Sequence, residues 1–80
     1  MRAHQRLRKI AVALQERIGD SFDAVVTGMT QKATWISIEG GVAEGRLVRG
    51  RRGLHVGDTL RVVLLVADPQ RGFIDFARDV

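Results

Sequence analysis

The sequence predicts an all-β domain, a five-stranded antiparallel barrel that is preceded by one N-terminal α-helix. Three observations support this fold class. The chain has 80 residues, which is enough for one domain with a modest core. Its first 18 residues repeat apolar side chains at helical spacing, whereas the rest consists of short runs of β-branched residues between glycine-containing turns. We therefore divide the chain into a helix over 1–18 and a barrel domain over 19–80.

The N-terminal segment is predicted to be helical from about residue 3 to residue 18. Its apolar residues follow the i, i+3, i+4, i+7 spacing that places them on one stripe, and they are Leu7, Ile10, Ala11, Leu14 and Ile18. Gly19 follows as the expected left-handed terminator of the helix. This segment also holds the whole net charge of +4, because residues 19–80 contain eight basic and eight acidic side chains.

Five strands are predicted after Asp20, at 22–30, 33–39, 43–48, 58–67 and 72–77. Gly40 and Gly41 can turn the second strand into the third as a hairpin, and residues 68–72 form a second turn around Pro69. Gly28 interrupts the first strand, where a bulge would let the strand bend around a barrel. Five strands with these turns are typical of an OB-fold, a small Greek-key barrel.

Two aromatic side chains are predicted on the outer surface of this barrel. In the second strand Ile36 and Ile38 belong inside, so Trp35 points outwards. In the fifth strand the charged Asp75 identifies the solvent-exposed face. Phe73 lies on the same face and is therefore predicted to be exposed. Exposed rings on a sheet bind single-stranded nucleic acid without reading its sequence, because every base has a π-face. The alternative is that the helix or a long side chain covers either ring.

Arginines close to these rings are candidates for phosphate contacts. They lie on the third strand and in the loop that follows it, at Arg46, Arg49, Arg51 and Arg52. A guanidinium offers a planar fork of donors that suits phosphate. The alternative is a solvated loop whose charges only aid solubility. The basic face of the N-terminal helix has the same two interpretations, a solvated surface or a separate contact with nucleic acid.

The fourth strand is apolar on nearly both faces, from Leu60 to Val66. One face fills the barrel, and the other must be covered. The apolar stripe of the helix is the cover available within the chain, although a neighbouring domain would serve equally well. This face also supports a different hypothesis, in which the chain is a module that docks on a protein partner.

Several function classes are excluded by composition. The chain has no cysteine, so it has neither disulfides nor thiolate metal sites. His4 and His55 are far apart and lack partners at ligand spacing, and a capping or solvated role suits Asp20 and Asp23. We therefore expect no metal, no cofactor and no catalytic residues. No apolar run suggests a membrane span or a signal peptide, and a cytoplasmic protein is the default expectation.

From Gly19 to Ala77 the chain closely resembles the S1 RNA-binding domain. The resemblance depends on four segments taken together, at 22–28, 42–45, 54–58 and 66–68. Three further segments, at 32–36, 44–50 and 71–76, resemble one branch of that family. This branch is the C-terminal S1 domain of bacterial ribonuclease II-like (RNB family) 3′–5′ exoribonucleases.

The resemblance implies an RNA-binding face on the barrel. S1 domains present two aromatics on strand 2, a histidine that ends strand 3, an aspartate that ends strand 4 and an arginine that opens strand 5. Trp35 matches the second aromatic and Asp68 matches the aspartate. Three positions depart from the pattern, because Lys32 replaces the first aromatic, Val48 the histidine and Phe73 the arginine.

The functional expectation is sequence-independent binding of single-stranded RNA. The predicted RNA-binding residues are Lys32, Trp35, Arg46, Arg49, Arg51, Arg52, Asp68, Arg71 and Phe73. The resemblance implies a parent exoribonuclease that works with magnesium, whose RNB catalytic domain would lie elsewhere in the same or another chain. The chain itself would hold substrate, and a monomer is the default expectation. The alternatives are the protein-docking module and a stand-alone OB-fold protein of the translation apparatus.

Overall fold

The computed structural model describes residues 10–79 of the chain. Five strands follow a short helix, and each strand begins and ends within one residue of its predicted bounds. The strands are β1 (Ser21–Met29), β2 (Thr34–Ile38), β3 (Ala43–Arg49), β4 (Thr59–Asp68) and β5 (Phe73–Arg78). A 3-10 turn, Glu39–Gly41, joins β2 to β3, and Gly40 and Gly41 have the positive φ values expected of a tight turn. No helix within 10–79 is long and apolar enough to cross a membrane.

The five strands form a closed barrel in the order β1-β2-β3-β5-β4. Four of the neighbouring pairs are antiparallel, whereas β3 and β5 run parallel. The prediction of a purely antiparallel sheet was therefore wrong for one pair of strands, β3 and β5, whose contact we call the seam of the barrel. The reason is geometric, because strand directions cannot alternate all the way round a ring with an odd number of members. The architecture is that of an OB-fold with a mixed sheet.

Bulges change which face of a strand points inwards. In β1 the register shifts between Val26 and Gly28, which confirms the predicted irregularity at Gly28 and leaves Thr27 as the additional residue. In β4 the register shifts between Leu64 and Val66. Leu64 is buried on one side of this shift and Ala67 on the other, so the inward phase of β4 changes by one residue.

The core contains the residues that period-two alternation predicted to be inside. Ile36, Ile38, Ile74 and Phe76 are all buried. Phe76 packs edge-to-face on Phe22, with ring centroids 6.3 Å apart, a favourable geometry for aromatic pairs. Because β1 and β5 do not pair directly, this contact joins their inner faces across the barrel interior.

Of the N-terminal helix, the described part comprises residues 10–15, which we label α1, followed by a turn that ends at Gly19. Gly19 has the predicted left-handed conformation, with φ of 94°. Ala11 and Leu14, two members of the predicted apolar stripe, are buried in the core, whereas Ile18 lies beyond the helix and is 50% exposed. The expected helical residues 3–9, including Leu7, lie outside the described residues.

The helix α1 lies against the connection between β2 and β3. Leu14 and Arg17 line a small space together with Ile38 and Val42. The Arg17 guanidinium lies 4.5 Å from the centre of the Phe22 ring, and its Nη1 donates a 2.9 Å hydrogen bond to Glu39. That hydrogen bond raises the pKa of Arg17, which therefore stays charged.

The outer face of β4 is only partly covered within the described residues. Val63 and Leu65 are half-buried, and Val66 is exposed. The described contacts of α1 with the rest of the barrel involve the core and the β2–β3 connection. The expectation that the apolar stripe of the helix covers the outer face of β4 involves residues outside 10–79 and stays a prediction.

Candidate nucleic-acid interface

Three side chains form a row across the outer face of β2, β3 and β5. Trp35 lies opposite Arg46 in the β2–β3 ladder, and Arg46 lies opposite Asp75 in the β3–β5 ladder. Residues opposite each other on adjacent strands project from the same face of a sheet. The row therefore places an aromatic ring, a guanidinium and a carboxylate side by side.

This row borders a groove of about 460 Å³. The lining residues come from β2, β3 and the start of β5, and they are Trp35, Glu44, Gly45, Arg46, Gly72, Phe73, Ile74 and Asp75. Of the predicted RNA-binding residues, Trp35, Arg46 and Phe73 are thus brought together. The groove crosses the seam at which the barrel closes, because its walls belong to β3 and to β5.

Trp35 is exposed as predicted, with 41% of its surface accessible. Its partner in β1 is Gly28, which has no side chain to cover the indole. A Cβ atom at Gly28 would lie 3.7 Å from Trp35 Cδ1, in van der Waals contact. The glycine thus leaves this flank of the ring open for stacking.

Phe73 is half-buried, so the prediction that it is exposed was wrong in degree. It begins β5 directly after the turn and lies opposite Asp68, the last residue of β4. Phe73 nevertheless lines the groove, where the accessible part of its ring borders the same space as Trp35.

The two carboxylates of the groove differ in their environment. Glu44 is exposed, and its Oε2 accepts a 3.1 Å hydrogen bond from the Thr27 hydroxyl. The Asp75 side chain is only 14% exposed, and its Oδ1 is buried without a hydrogen-bond partner. Arg46 Nε lies 3.7 Å from that oxygen, which is an ion pair but too long for a hydrogen bond.

Neither Asp75 nor Glu44 was among the RNA-binding residues predicted from the sequence. Asp75 served there only to identify the solvent-exposed face of β5. The signal was available, because Asp75 shares its strand face with Phe73. What the sequence could not supply is the parallel pairing of β3 and β5, which places Asp75 beside Arg46.

Arg51 has a structural role that the sequence did not predict. Its guanidinium is half-buried and donates to three backbone carbonyls of the β1–β2 loop, those of Thr30, Gln31 and Lys32. Its Nε donates a 3.2 Å hydrogen bond to the hydroxyl of Thr34, which is fully buried. Arg51 therefore holds the loop that precedes Trp35.

Asp68 organises the turn between β4 and β5. Its Oδ1 accepts hydrogen bonds from the backbone N–H groups of Gln70 and Arg71, at 3.0 and 3.1 Å. This is the turn that an aspartate side chain typically stabilises. Arg71 Nε lies 3.9 Å from Asp68 Oδ2, and the Arg71 side chain is exposed at the groove end of the barrel.

The remaining predicted residues are exposed but do not line the groove. Lys32 lies in the β1–β2 loop, three residues before Trp35. Arg49 ends β3 opposite Ala77, and Arg52 follows in the next loop. The role of these three cations in binding RNA stays a prediction.

Within residues 10–79 no group of three or more His, Asp or Glu side chains could hold a metal ion. The two aspartates near the start of the barrel lie beside arginines instead. Asp20 lies 3.5 Å from Arg17 Nε, and Asp23 lies 3.0 Å from Arg61 Nη1. These are exposed ion pairs, which contribute little to stability.

The barrel and its aromatic groove define the class of an S1-type OB-fold domain. The family model of the RNase II-type exonuclease C-terminal S1 domain matches residues 20–79. The chain therefore belongs to this family, as its resemblance to the S1 domains of RNB exoribonucleases had indicated. No curated protein sequence matches it significantly.

Solved structures with the same fold include RNase R from Mycoplasma genitalium. Its apo form has a TM-score of 0.73 and 14% identity over 91% of this chain. Its complex with ribose-methylated single-stranded RNA has a TM-score of 0.71 and 14% identity over 88% of this chain. This chain spans only 15% and 14% of the length of those two chains.

A third similar structure is the uncharacterized protein MJ1198 from Methanocaldococcus jannaschii. Its TM-score is 0.62, with 24% identity, and the match covers 78% of this chain and 89% of that one. At these levels of identity all three structures support the fold alone.

Proposed function

We propose that this chain binds single-stranded RNA without reading its sequence along the strand, as the S1 domain of a ribonuclease II-like exoribonuclease. The observation that supports the proposal best is the groove beside Trp35, in which an open aromatic ring adjoins the Arg46 guanidinium. A base stacks on the ring while the cation attracts the phosphate backbone. RNA is favoured as the ligand because the family implies it and because the structurally similar RNase R has been solved with single-stranded RNA.

The same proposal assigns the chemistry to a catalytic domain outside this chain. The chain would hold the substrate, and the RNB-type domain would cleave it. This division of labour agrees with the paired state of Asp20 and Asp23, whose carboxylates lie beside arginines. We also propose that the protein works in the cytoplasm, where such a substrate occurs.

The direct test is titration of the chain with an unstructured RNA of about 12 nucleotides, within the site sizes of OB-folds. Trp35 is the single tryptophan of the chain, so its fluorescence reports on the groove. We expect quenching that saturates at low salt, and RNA that stays intact during incubation with magnesium. An unchanged tryptophan signal together with unchanged anisotropy of a labelled RNA would exclude the proposal.

The protein-docking alternative has one supporting observation, the incompletely covered outer face of β4 with its exposed Val66. It predicts self-association and little affinity for RNA. Sedimentation velocity at several protein concentrations, carried out on the same preparation, separates the two functions.

A further inference from the structure

We propose that Asp75 reads the edge of the base that stacks on Trp35 and gives this one position a preference for guanine over uracil. The inference depends on the proposed RNA-binding function and adds base selectivity to it. Binding along the remainder of the strand stays independent of sequence.

The first step is the unfilled hydrogen-bonding capacity of Asp75. Its side chain is mostly buried, its Oδ1 has no hydrogen-bond partner, and the ion pair with Arg46 is 3.7 Å long. An unsatisfied buried acceptor has lost its water without replacing it, so a donor that arrives with a ligand gains the full interaction. Glu44 gains less, because it is exposed and already accepts a hydrogen bond from Thr27.

Asp75 also lies close enough to Trp35 for one base to contact both side chains. Trp35 and Asp75 are separated by one strand, which places their backbones about 10 Å apart at the usual strand spacing of ~4.8 Å. Both residues line the same groove, with Arg46 between them. The proposal places the polar edge of a base that stacks on Trp35 towards Asp75. The terminal torsion of an aspartate is soft, so either oxygen can turn to meet it.

The third step is the chemistry of the base edges. Guanine presents two adjacent donors, N1–H and the 2-amino group, which match the two oxygens of one carboxylate. Its neighbouring O6 is an acceptor, and the adjacent Arg46 guanidinium is a donor. Uracil presents a single donor flanked by two carbonyl oxygens, which a carboxylate repels. Adenine and cytosine have one amino group each and should be intermediate.

The experiment uses the full chain and a set of oligouridylates in which one central nucleotide is uridine, cytidine, adenosine, inosine or guanosine. Sliding of the strand can bring that nucleotide to Trp35. We expect the guanosine oligomer to bind at least about fivefold more tightly than the all-uridine oligomer, the lower end for a bidentate contact. Inosine lacks the 2-amino group and should lose part of this preference.

Two variants that change the charge of the groove equally identify the residue responsible for the guanosine preference. Asp75→Asn and Glu44→Gln each remove one negative charge from the groove, so both should bind the all-uridine oligomer somewhat more tightly. Only Asp75→Asn should reduce the guanosine preference, to about twofold or less. Circular dichroism and thermal melting of each variant check that the barrel is intact.

The outcomes of this experiment distinguish failure of the base preference from failure of RNA binding itself. If the chain binds all five oligomers with equal affinity, the inference is wrong and the proposed function still holds. A guanosine preference that survives Asp75→Asn, or that Glu44→Gln removes equally, also overturns it. If no oligomer binds at low salt, both the function and the inference are wrong.

Discussion

Under the proposed function, Trp35 is the residue on which RNA binding should depend most. Its ring is accessible, its β1 partner is a glycine, and it borders the groove across the barrel seam. Trp35→Ala should weaken RNA binding by about 1–3 kcal/mol, the cost of losing one stacked base. Anisotropy of a fluorescein-labelled RNA measures this loss without using the tryptophan signal.

The control for this substitution keeps an aromatic ring. Trp35→Phe should retain most of the affinity, because a phenyl ring also stacks on bases. Equal affinity of the alanine variant and the wild-type chain would show that RNA, if it binds, does not use this groove.

Arg51 provides a contrast, because its side chain is engaged within the fold. Arg51→Ala removes the donors to the β1–β2 loop and leaves the buried Thr34 hydroxyl without its partner. We expect a loss of about 1–3 kcal/mol in the free energy of unfolding, the cost of an unsatisfied buried group. Urea denaturation followed by Trp35 fluorescence measures it.

Arg52→Ala is the matched control, since Arg52 is exposed in the same loop. Its effect on stability should stay within about 0.5 kcal/mol. If the two variants were equally stable, the hydrogen bonds of Arg51 would contribute nothing, and the residue would be free for phosphate as the sequence suggested.

At this scale the sequence predicted the direction of side chains better than their partners. Alternation placed Trp35 outside and Ile36 inside, because the faces of a strand depend only on residue parity. It failed for Arg51, since neighbouring positions in a loop say nothing about which backbone carbonyls lie within reach. It also passed over Asp75, whose significance arises from contacts across strands that are distant in sequence.

Among the elements, β3 and β5 approach each other too closely at position 45 for a side chain to fit between them. A Cβ atom at Gly45 would meet the backbone carbonyl of Ile74 and the ring of Phe76. Gly45→Ala should therefore push the two strands apart and destabilise the protein by about 1–3 kcal/mol or more. Chemical denaturation gives the change.

Gly28→Ala is the comparison, because Gly28 is also a strand glycine with a Cβ position that has ordinary contacts only. It should cost less than Gly45→Ala in the same assay. The reverse order would mean that β3 and β5 can separate without penalty, and that the glycine at 45 is not required by close packing.

The helix α1 contributes Leu14 to the core, whereas Ile18 in the following turn is largely solvent-exposed. Leu14 is buried and Ile18 is 50% exposed. Leu14→Ala should lower the free energy of unfolding by about 2–5 kcal/mol, and Ile18→Ala by no more than about 0.5 kcal/mol. Equal small effects of both substitutions on the melting temperature would show that the helix does not stabilise the barrel.

The elements themselves were predictable from turn residues and β-branched runs, which fixed all five strands to within one residue at each end. Their pairing was harder. Local patterns indicate where strands begin and end, but the parallel contact of β3 with β5 follows from closing an odd-numbered ring. The position of α1 at the β2–β3 connection likewise depends on which surface the closed barrel leaves free.

For the whole molecule, the number of phosphates contacted sets the expected salt dependence of RNA binding. Residues 19–80 contain as many acidic as basic side chains, so the domain has no strong overall field. If about three phosphates are contacted, log affinity should fall with log salt at a slope of roughly −2, from −0.7 per phosphate on a single strand. Titrations at several potassium chloride concentrations give the slope.

The variant Arg46→Gln should reduce that slope by about 0.7, the share of one phosphate contact. Arg61→Gln also removes one positive charge, at an exposed position that does not line the groove, and serves as the control. An unchanged slope for Arg46→Gln would remove this residue from the set of phosphate ligands.

The parallel seam between β3 and β5 also connects folding with ligand binding. Because β5 pairs with β3 on one side and β4 on the other, the groove exists only after residues 73–78 have closed the ring. Pairing of β3 with β5 spans a long stretch of chain and forms slowly compared with a local hairpin. Under the proposed function, an RNA strand bound across the groove would contact both β3 and β5, so the protein should be hardest to unfold while RNA is bound.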